Sequence, residues 1–193
     1  MLSTITTPRG PVTIRPTHEE DAAAFRDLRL EALRTHPEAF AADYDEDLTR
    51  PIEFWQARVR DGAGSDLGIT YVAEAGGALV GMTGIYRDNH LKMRHSGMIW
   101  GVYIQPDWRG AGVADALIEA CIAWARGRGL RLLKLGVVTT NTAAIRRYIR
   151  CGFSVYGVEP EVIYHGGVYY DELLMAQRLT SDTRTTRTGD NQT

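Results

Sequence analysis

The stretch Ile99-Trp-Gly-Val-Tyr-Ile-Gln-Pro-Asp-Trp-Arg-Gly-Ala-Gly-Val-Ala114 decides how the rest of the 193-residue chain is read. Its first residues, rich in Ile, Val, Trp and Tyr, belong to a strand over Gly97 to Ile104. Pro106 ends the strand. From Gly112 to Arg128, Val113, Leu117, Ile118, Cys121 and Trp124 recur at helical spacing, and Gly127 with Gly129 marks the stop. A strand therefore passes through a loop with two glycines and an arginine directly into a helix. Backbone N–H groups of such a loop converge on an anion at the helix N-terminus, where unpaired donors and the dipole both favour negative charge. A diphosphate is the natural ligand, because side chains at Gly110 and Gly112 would block close backbone approach and Arg109 adds charge without a metal. Two familiar phosphate loops do not fit. No Lys-Ser/Thr follows Gly112 as a P-loop requires, and Asp115 stands where GxGxxG needs its last glycine. Taken alone, the loop reads equally as a phosphate cradle and as a tight turn.

A second segment, Gly136-Val-Val-Thr-Thr-Asn141-Thr-Ala-Ala-Ile-Arg-Arg-Tyr148-Ile-Arg-Cys-Gly152-Phe153, places Asn141 at an N-cap and Gly152 at the C′ position of the helix between them. Asn141 and Tyr148 are seven residues, or two turns, apart and face the same side. Arg146, Arg147 and Arg150 complement the helix dipole in the last turns. By spacing alone, Tyr148 also suits a core stripe with Ala144, Ile145 and Ile149.

Together the two segments resemble the cofactor-binding region of the GNAT superfamily of acyl-CoA-dependent N-acyltransferases. Arg109-x-x-Gly112-x-Ala114, after a strand ending Ile104-x-Pro106, is similar to the family's Arg/Gln-x-x-Gly-x-Gly/Ala loop. Asn141, Ala144, Tyr148, Gly152 and Phe153 match its Asn-x-x-Ala-(x)3-Tyr-(x)3-Gly-Phe region. The resemblance implies that the backbone of Gly110, Ala111, Gly112, Val113, Ala114 and Asp115, with Arg109 beside it, cradles the pyrophosphate of coenzyme A. It implies that Val102, Tyr103 and Ile104 pair with the pantetheine arm in the manner of an added strand, and that Asn141 hydrogen-bonds that arm. Tyr148, with its hydroxyl near the thioester sulfur, becomes the general acid. A backbone N–H of the 102–104 strand supplies the oxyanion donor.

The implied activity is transfer of an acetyl group from acetyl-CoA, as co-substrate and without a metal, to an amine of a small molecule or of a peptide or protein. Two alternatives stay open: an acyl-CoA-binding regulatory domain without turnover, and a plain nucleotide-binding module using the same glycine loop. One departure from the pattern bears on the chemistry. Some members carry a Glu five residues before the motif Asn, and here that position is Gly136. Glu74, Asp88, His90, His95 or a water chain are conceivable replacements, and the sequence singles out none of them as the base.

Punctuation and period give the remaining elements. Val12 to Arg15 alternates as a strand, and Thr17 with Glu20 forms a capping box for a helix carrying Ala24, Phe25, Leu28, Leu33 and Phe40, interrupted by Pro37. A short helix follows from Pro51 to Val59. Strands at Ile69 to Glu74 and Ala78 to Tyr86 flank Ala75-Gly76-Gly77, which suits a hairpin. Leu132 to Val138, Phe153 to Val158 and Val168 to Met175 complete about seven strands. The fold class is thus α/β (α+β), and the resemblance implies the GNAT fold: a mixed central sheet with four or so helices, splayed after the strand at 97–104.

Composition sets the outer bounds. The hydrophobic fraction is 44%, and 22 Lys+Arg against 24 Asp+Glu leave a net charge of −2, which fits one folded domain and argues against nucleic acid as the main partner. Residues 1–179 are expected to form that domain and residues 180–193, Thr/Ser/Arg-rich without apolar period, a disordered tail. Cys121 and Cys151 lack CxxC spacing and read as free thiols. No apolar run of membrane-spanning length and no secretory leader is read, so the cytoplasm is expected. Exposed late strands leave a homodimer possible. Glu38, Asp43, Asp45, Glu46 and Asp47 crowd the connection after the first helix, reading either as an acidic wall attracting a cationic amine or as a solvated loop.

Overall fold

The computed structural model describes residues 2–179, and the tail expected at 180–193 lies outside them. One mixed sheet organises everything else. Its strands are β1 (Ser3–Thr7), β2 (Gly10–Pro16), β3 (Gly68–Ala75), β4 (Ala78–Arg87), β5 (Ser96–Ile104), β6 (Leu132–Val138), β7 (Ser154–His165) and β8 (Val168–Arg178). The helices are α1 (Ala22–Thr35), α2 (Tyr44–Leu48), α3 (Ile52–Gly62), α4 (Val113–Gly127) and α5 (Thr142–Arg150). Spatial order is β1-β2-β3-β4-β5-β6-β8-β7, antiparallel throughout except for the parallel pair β5/β6 that α4 connects.

That parallel pair is the opening in the fold. Only Ser96, Gly97 and Met98 pair with Leu132, Leu133 and Lys134, after which the two strands diverge. The sheet splays where expected, and backbone groups of β5 beyond Met98 have no neighbouring strand on the β6 side.

Helices cover both faces of the sheet at β3 and β4. On one face α4 buries Val113, Leu117, Ile118, Cys121, Ile122 and Ala125. On the other, Phe25 and Leu28 of α1 and Trp55 and Val59 of α3 pack against Val72 and Met82. Burying side chains of this size contributes about 1.5–3 kcal/mol each, which fixes both helix layers on the splayed sheet.

The structure adds β1 and α2 to the expected elements. β1 has one apolar residue, Ile5, yet pairs with β2 across the two-residue turn Pro8-Arg9. α2 forms from the acidic stretch because the Asp43 side chain accepts from the N–H groups of Asp45 and Glu46 at 2.9 and 3.1 Å. The capping box at Thr17 and Glu20 does not form. Thr17 donates to the Val59 carbonyl at 2.8 Å, and Asp21 accepts instead from the His18 N–H at 2.7 Å. Within α1, Ala24 is exposed while Arg29 is buried. β7 runs on to His165 through Gly157 and Pro160, because register shifts after Val155 and Glu159 absorb both, with Glu161 at φ +54°.

Candidate active site

Divergence of β5 from β6 leaves a cleft of about 420 Å³ that reaches from the α4 N-terminus to the far side of the sheet. Its walls are Ile99–Ile104 of β5 and Leu135–Val138 of β6, with α5 closing one side and Phe40 reaching in from the α1–α2 connection. Among the residues expected at the site, Val102, Tyr103, Ile104, Arg109, Gly110, Gly112, Val113, Ala114, Asn141 and Tyr148 all line it. Ala111 and Asp115 do not. The Asp115 carboxylate is held by Arg147 Nη1 at 2.5 Å, which ties the first turn of α4 to α5.

The mouth is built for an anion. The first intrahelical bond of α4 runs from the Ala116 N–H to the Gly112 carbonyl, 3.0 Å, so the N–H groups of Val113, Ala114 and Asp115 precede the ladder. Gly110 and Gly112 sit at φ +78° and +84°, and a Cβ on either would meet nothing within 4 Å. Both features leave backbone donors open to the cleft. A pyrophosphate fits such a cradle on charge and on geometry. The Arg109 head group is turned along the strand: Nε donates to the Ile104 carbonyl at 3.0 Å, and Nη2 donates to His36 Nε2 at 2.9 Å. It therefore borders the cradle without reaching across it, and the Ile104 carbonyl is already engaged.

Asn141 caps α5 as expected, its Oδ1 accepting from the Ala144 N–H at 3.1 Å, and Gly152 takes φ +90° at the other end. With both ends of α5 fixed, Tyr148 is 7% exposed, packs edge-on against Phe153 and still faces the cleft. Burial pushes its phenol well above the usual range, so the hydroxyl stays protonated.

Deeper in, β5 is distorted. Gly101 has φ +66°, Thr83 Oγ1 donates to the Trp100 carbonyl at 3.1 Å, and the β4/β5 register shifts between Met82 and Gly84. Such a bulge turns backbone groups away from the ladder and toward the cleft. Phe40 also lines a second cavity of about 490 Å³, between Asp43–Asp45 and Val162–His165 of β7, and so stands between the two.

None of Glu74, Asp88, His90 and His95 lines the cleft. Glu74 is paired with Arg15 at 2.6 Å, and Asp88 with His90 at 2.9 Å. Glu172, which the sequence did not single out, does not line the cleft either, but its side chain lies against Gly136, which does. Glu172 of β8 pairs in register with Val138, and its side chain lies over Gly136: a methyl group on Gly136 would run into Glu172 Oε2. Burial first, and then Glu159 in register across β7, raise its pKa above the usual carboxylate range. Only the pairing of β6 with β8 brings the carboxylate here, and no local motif signals it.

Residues 23–153 match the acetyltransferase (GNAT) family. The chain belongs to that family. Among GNAT relatives it is 30% identical to an aminoglycoside N(6')-acetyltransferase type 1 from Stenotrophomonas maltophilia, over 73% of this chain and 85% of the relative. It is 32% identical to a mycothiol acetyltransferase from Thermobispora bispora, over 76% of this chain and 47% of the relative. The chain spans less than half the length of the latter and of one further curated N-acetyltransferase. A GNAT acetyltransferase structure from Streptococcus pneumoniae superposes with a TM-score of 0.78 at 29% identity, covering 87% of this chain and 99% of that one. No helix among the described residues is long and apolar enough to cross a membrane.

Proposed function

We propose that this protein is an N-acetyltransferase that moves the acetyl group of acetyl-CoA directly to an amine, with residues 1–179 as one catalytic domain. The observation that carries it is the cleft between β5 and β6, which joins an anion cradle at the α4 N-terminus to a buried tyrosine and to Gly136, against which the half-buried Glu172 carboxylate lies. Family membership supports the acetyl donor. Acetyl-CoA supplies an activated thioester and a thiolate leaving group.

The residues divide the remaining work. Open N–H groups of residues 110–115 bind the pyrophosphate, each charge-assisted bond contributing about 1.5–3 kcal/mol. The unpaired edge of β5 at Val102 and Tyr103 takes the pantetheine arm, and a backbone N–H there stabilises the developing oxyanion. Asn141 has an amide N–H to offer the same arm, because its Oδ1 is used by the cap. Glu172 takes the proton that must leave the ammonium before attack, and Tyr148 gives one to the departing sulfur.

Binding is tested by thermal melts with acetyl-CoA and with NAD. At a hundredfold excess over Kd, acetyl-CoA should stabilise by about 2.7 kcal/mol, a rise of roughly 5–10 °C for a chain of this size. Equal stabilisation by NAD would favour a plain nucleotide-binding module. Tyr148→Phe should lower kcat about ten- to a hundredfold and leave the acetyl-CoA Kd within about twofold. Lost binding with turnover per bound cofactor retained would instead make Tyr148 a packing residue. Both cysteines are free, which suits the reducing cytoplasm. Val155, Tyr156, Val158 and Tyr169, all about half exposed, form the face for a homodimer, to be measured by light scattering.

A further inference from the structure

On the α1/α3 side of the cleft the structure holds two arginines with buried nitrogens that find no hydrogen-bond acceptor among the described residues. Arg29 is only 6% exposed, and its Nε and Nη1 meet no acceptor among the described residues; Arg58 Nε is likewise buried and unpartnered. Long basic side chains are rarely buried unless paired. Asp47 is near enough to favour the charged form of both, yet one carboxylate faces two guanidinium groups. Burial, followed by repulsion from Arg58, pushes the Arg29 pKa down to about 10, so Arg29 stays charged at neutral pH with Asp47 shared between it and Arg58.

Neither arginine lines the cleft itself, but both head groups lie against residues that do. The Arg29 guanidinium lies over the Phe40 ring at 4.9 Å, and its Nη1 is 3.8 Å from where a Cβ on Gly101 would stand. The Arg58 guanidinium lies over the Trp100 ring at 5.1 Å. Phe40, Trp100 and Gly101 all line the cleft, next to the β5 bulge. Stacked on aromatic faces, the guanidinium planes are held in fixed orientations with donors left over, the arrangement that receives a carboxylate in a forked pair.

We propose that Arg29 and Arg58 form a carboxylate-binding subsite for the acceptor, and that the acceptor is a free α-amino acid. The inference rests on the acetyl-transfer reading and narrows it. An α-amino acid carries two opposite charges a few bonds apart. Its carboxylate is taken by the arginines on one wall, while Glu172 on the other receives the ammonium proton. Amines without a carboxylate leave the buried guanidinium nitrogens without an acceptor.

The test is a comparison of substrates on the unmodified protein, which no folding defect can confuse. Each of the twenty L-amino acids is assayed beside its carboxamide, with acetyl-CoA, for thiol release. The amino acid that turns over best should exceed its amide by about a hundredfold in kcat/KM. Amides acetylated as well as the acids would overturn the subsite and leave the acetyltransferase reading standing. A second arm reads binding alone, by thermal melts with amino acid in the presence of coenzyme A. Stabilisation by amino acids and not by amides, lost in Arg29→Met, supports the subsite even if no acetylation of any amine is seen. No stabilisation by any amino acid would count against it. Arg29→Met should itself melt at or above the parent temperature, because it removes a buried charge with unmatched donors. A markedly lower melting temperature would assign Arg29 to structure instead.

Discussion

Glu172→Gln should lower kcat by roughly two to three orders of magnitude near neutral pH, with the acetyl-CoA Kd within about twofold of the parent. The amide keeps the shape of the side chain over Gly136 and removes its capacity to accept a proton from the amine. Because burial and Glu159 raise the Glu172 pKa, the acid limb of the kcat/KM profile should lie above the ordinary carboxylate range, with activity rising as Glu172 ionises, and Gln should abolish that limb. Stability moves in the opposite direction. A carboxyl whose folded pKa is raised binds its proton more tightly in the native state, so stability falls as pH rises from the unfolded pKa through the raised folded one. Glu172→Gln should therefore melt higher than the parent at pH 8, with the gain vanishing toward pH 4. Rescue completes the test: Gly136→Glu combined with Glu172→Ala returns a carboxylate to the same space and should recover part of the lost rate. An unchanged kcat in Glu172→Gln would remove it from the chemistry.

Gly112→Val should weaken acetyl-CoA binding by at least about a hundredfold, measured by calorimetry. Two effects act together. At φ +84° an L side chain costs about 1–2 kcal/mol of backbone strain. The new side chain also enters space that no protein atom occupies within 4 Å, between the loop donors and their anion. Since it meets no protein atom, the variant should fold, with a melting temperature lower by no more than several degrees. Gly112→Ala should fall between the two. Unchanged affinity in Gly112→Val would exclude this loop as the pyrophosphate cradle.

Local chemistry made much of this legible in the sequence. The strand–loop–helix from Gly97 to Arg128, the Gly76-Gly77 turn and the Asn141 and Gly152 boundaries of α5 each depend on residues within one or two turns of chain. What escaped depends on distant pairing. β1, with one apolar residue, is held by its register with β2, and β7 passes through Gly157 and Pro160 because bulges absorb them. Glu172 reads as part of a closing strand until β8 is laid beside β6, and then it stands where Gly136 has no side chain. Arg29 sits one residue after Leu28 on a helix whose apolar period hides it, and only the packed structure shows its donors unmatched. The proposed cofactor contacts lie near one another in the chain, while the proposed acceptor contacts come from α1, α3 and β8.

The most direct measurement incubates the purified protein with acetyl-CoA and a mixture of simple amines, free amino acids and peptides, following thiol release and the mass of the amines together. The proposed activity requires one free thiol for every amine that gains an acetyl group, over many turnovers per protein. Tight acetyl-CoA binding with no acetylated amine and no thiol release above hydrolysis would contradict it, and the cleft would then belong to a binding domain without catalysis.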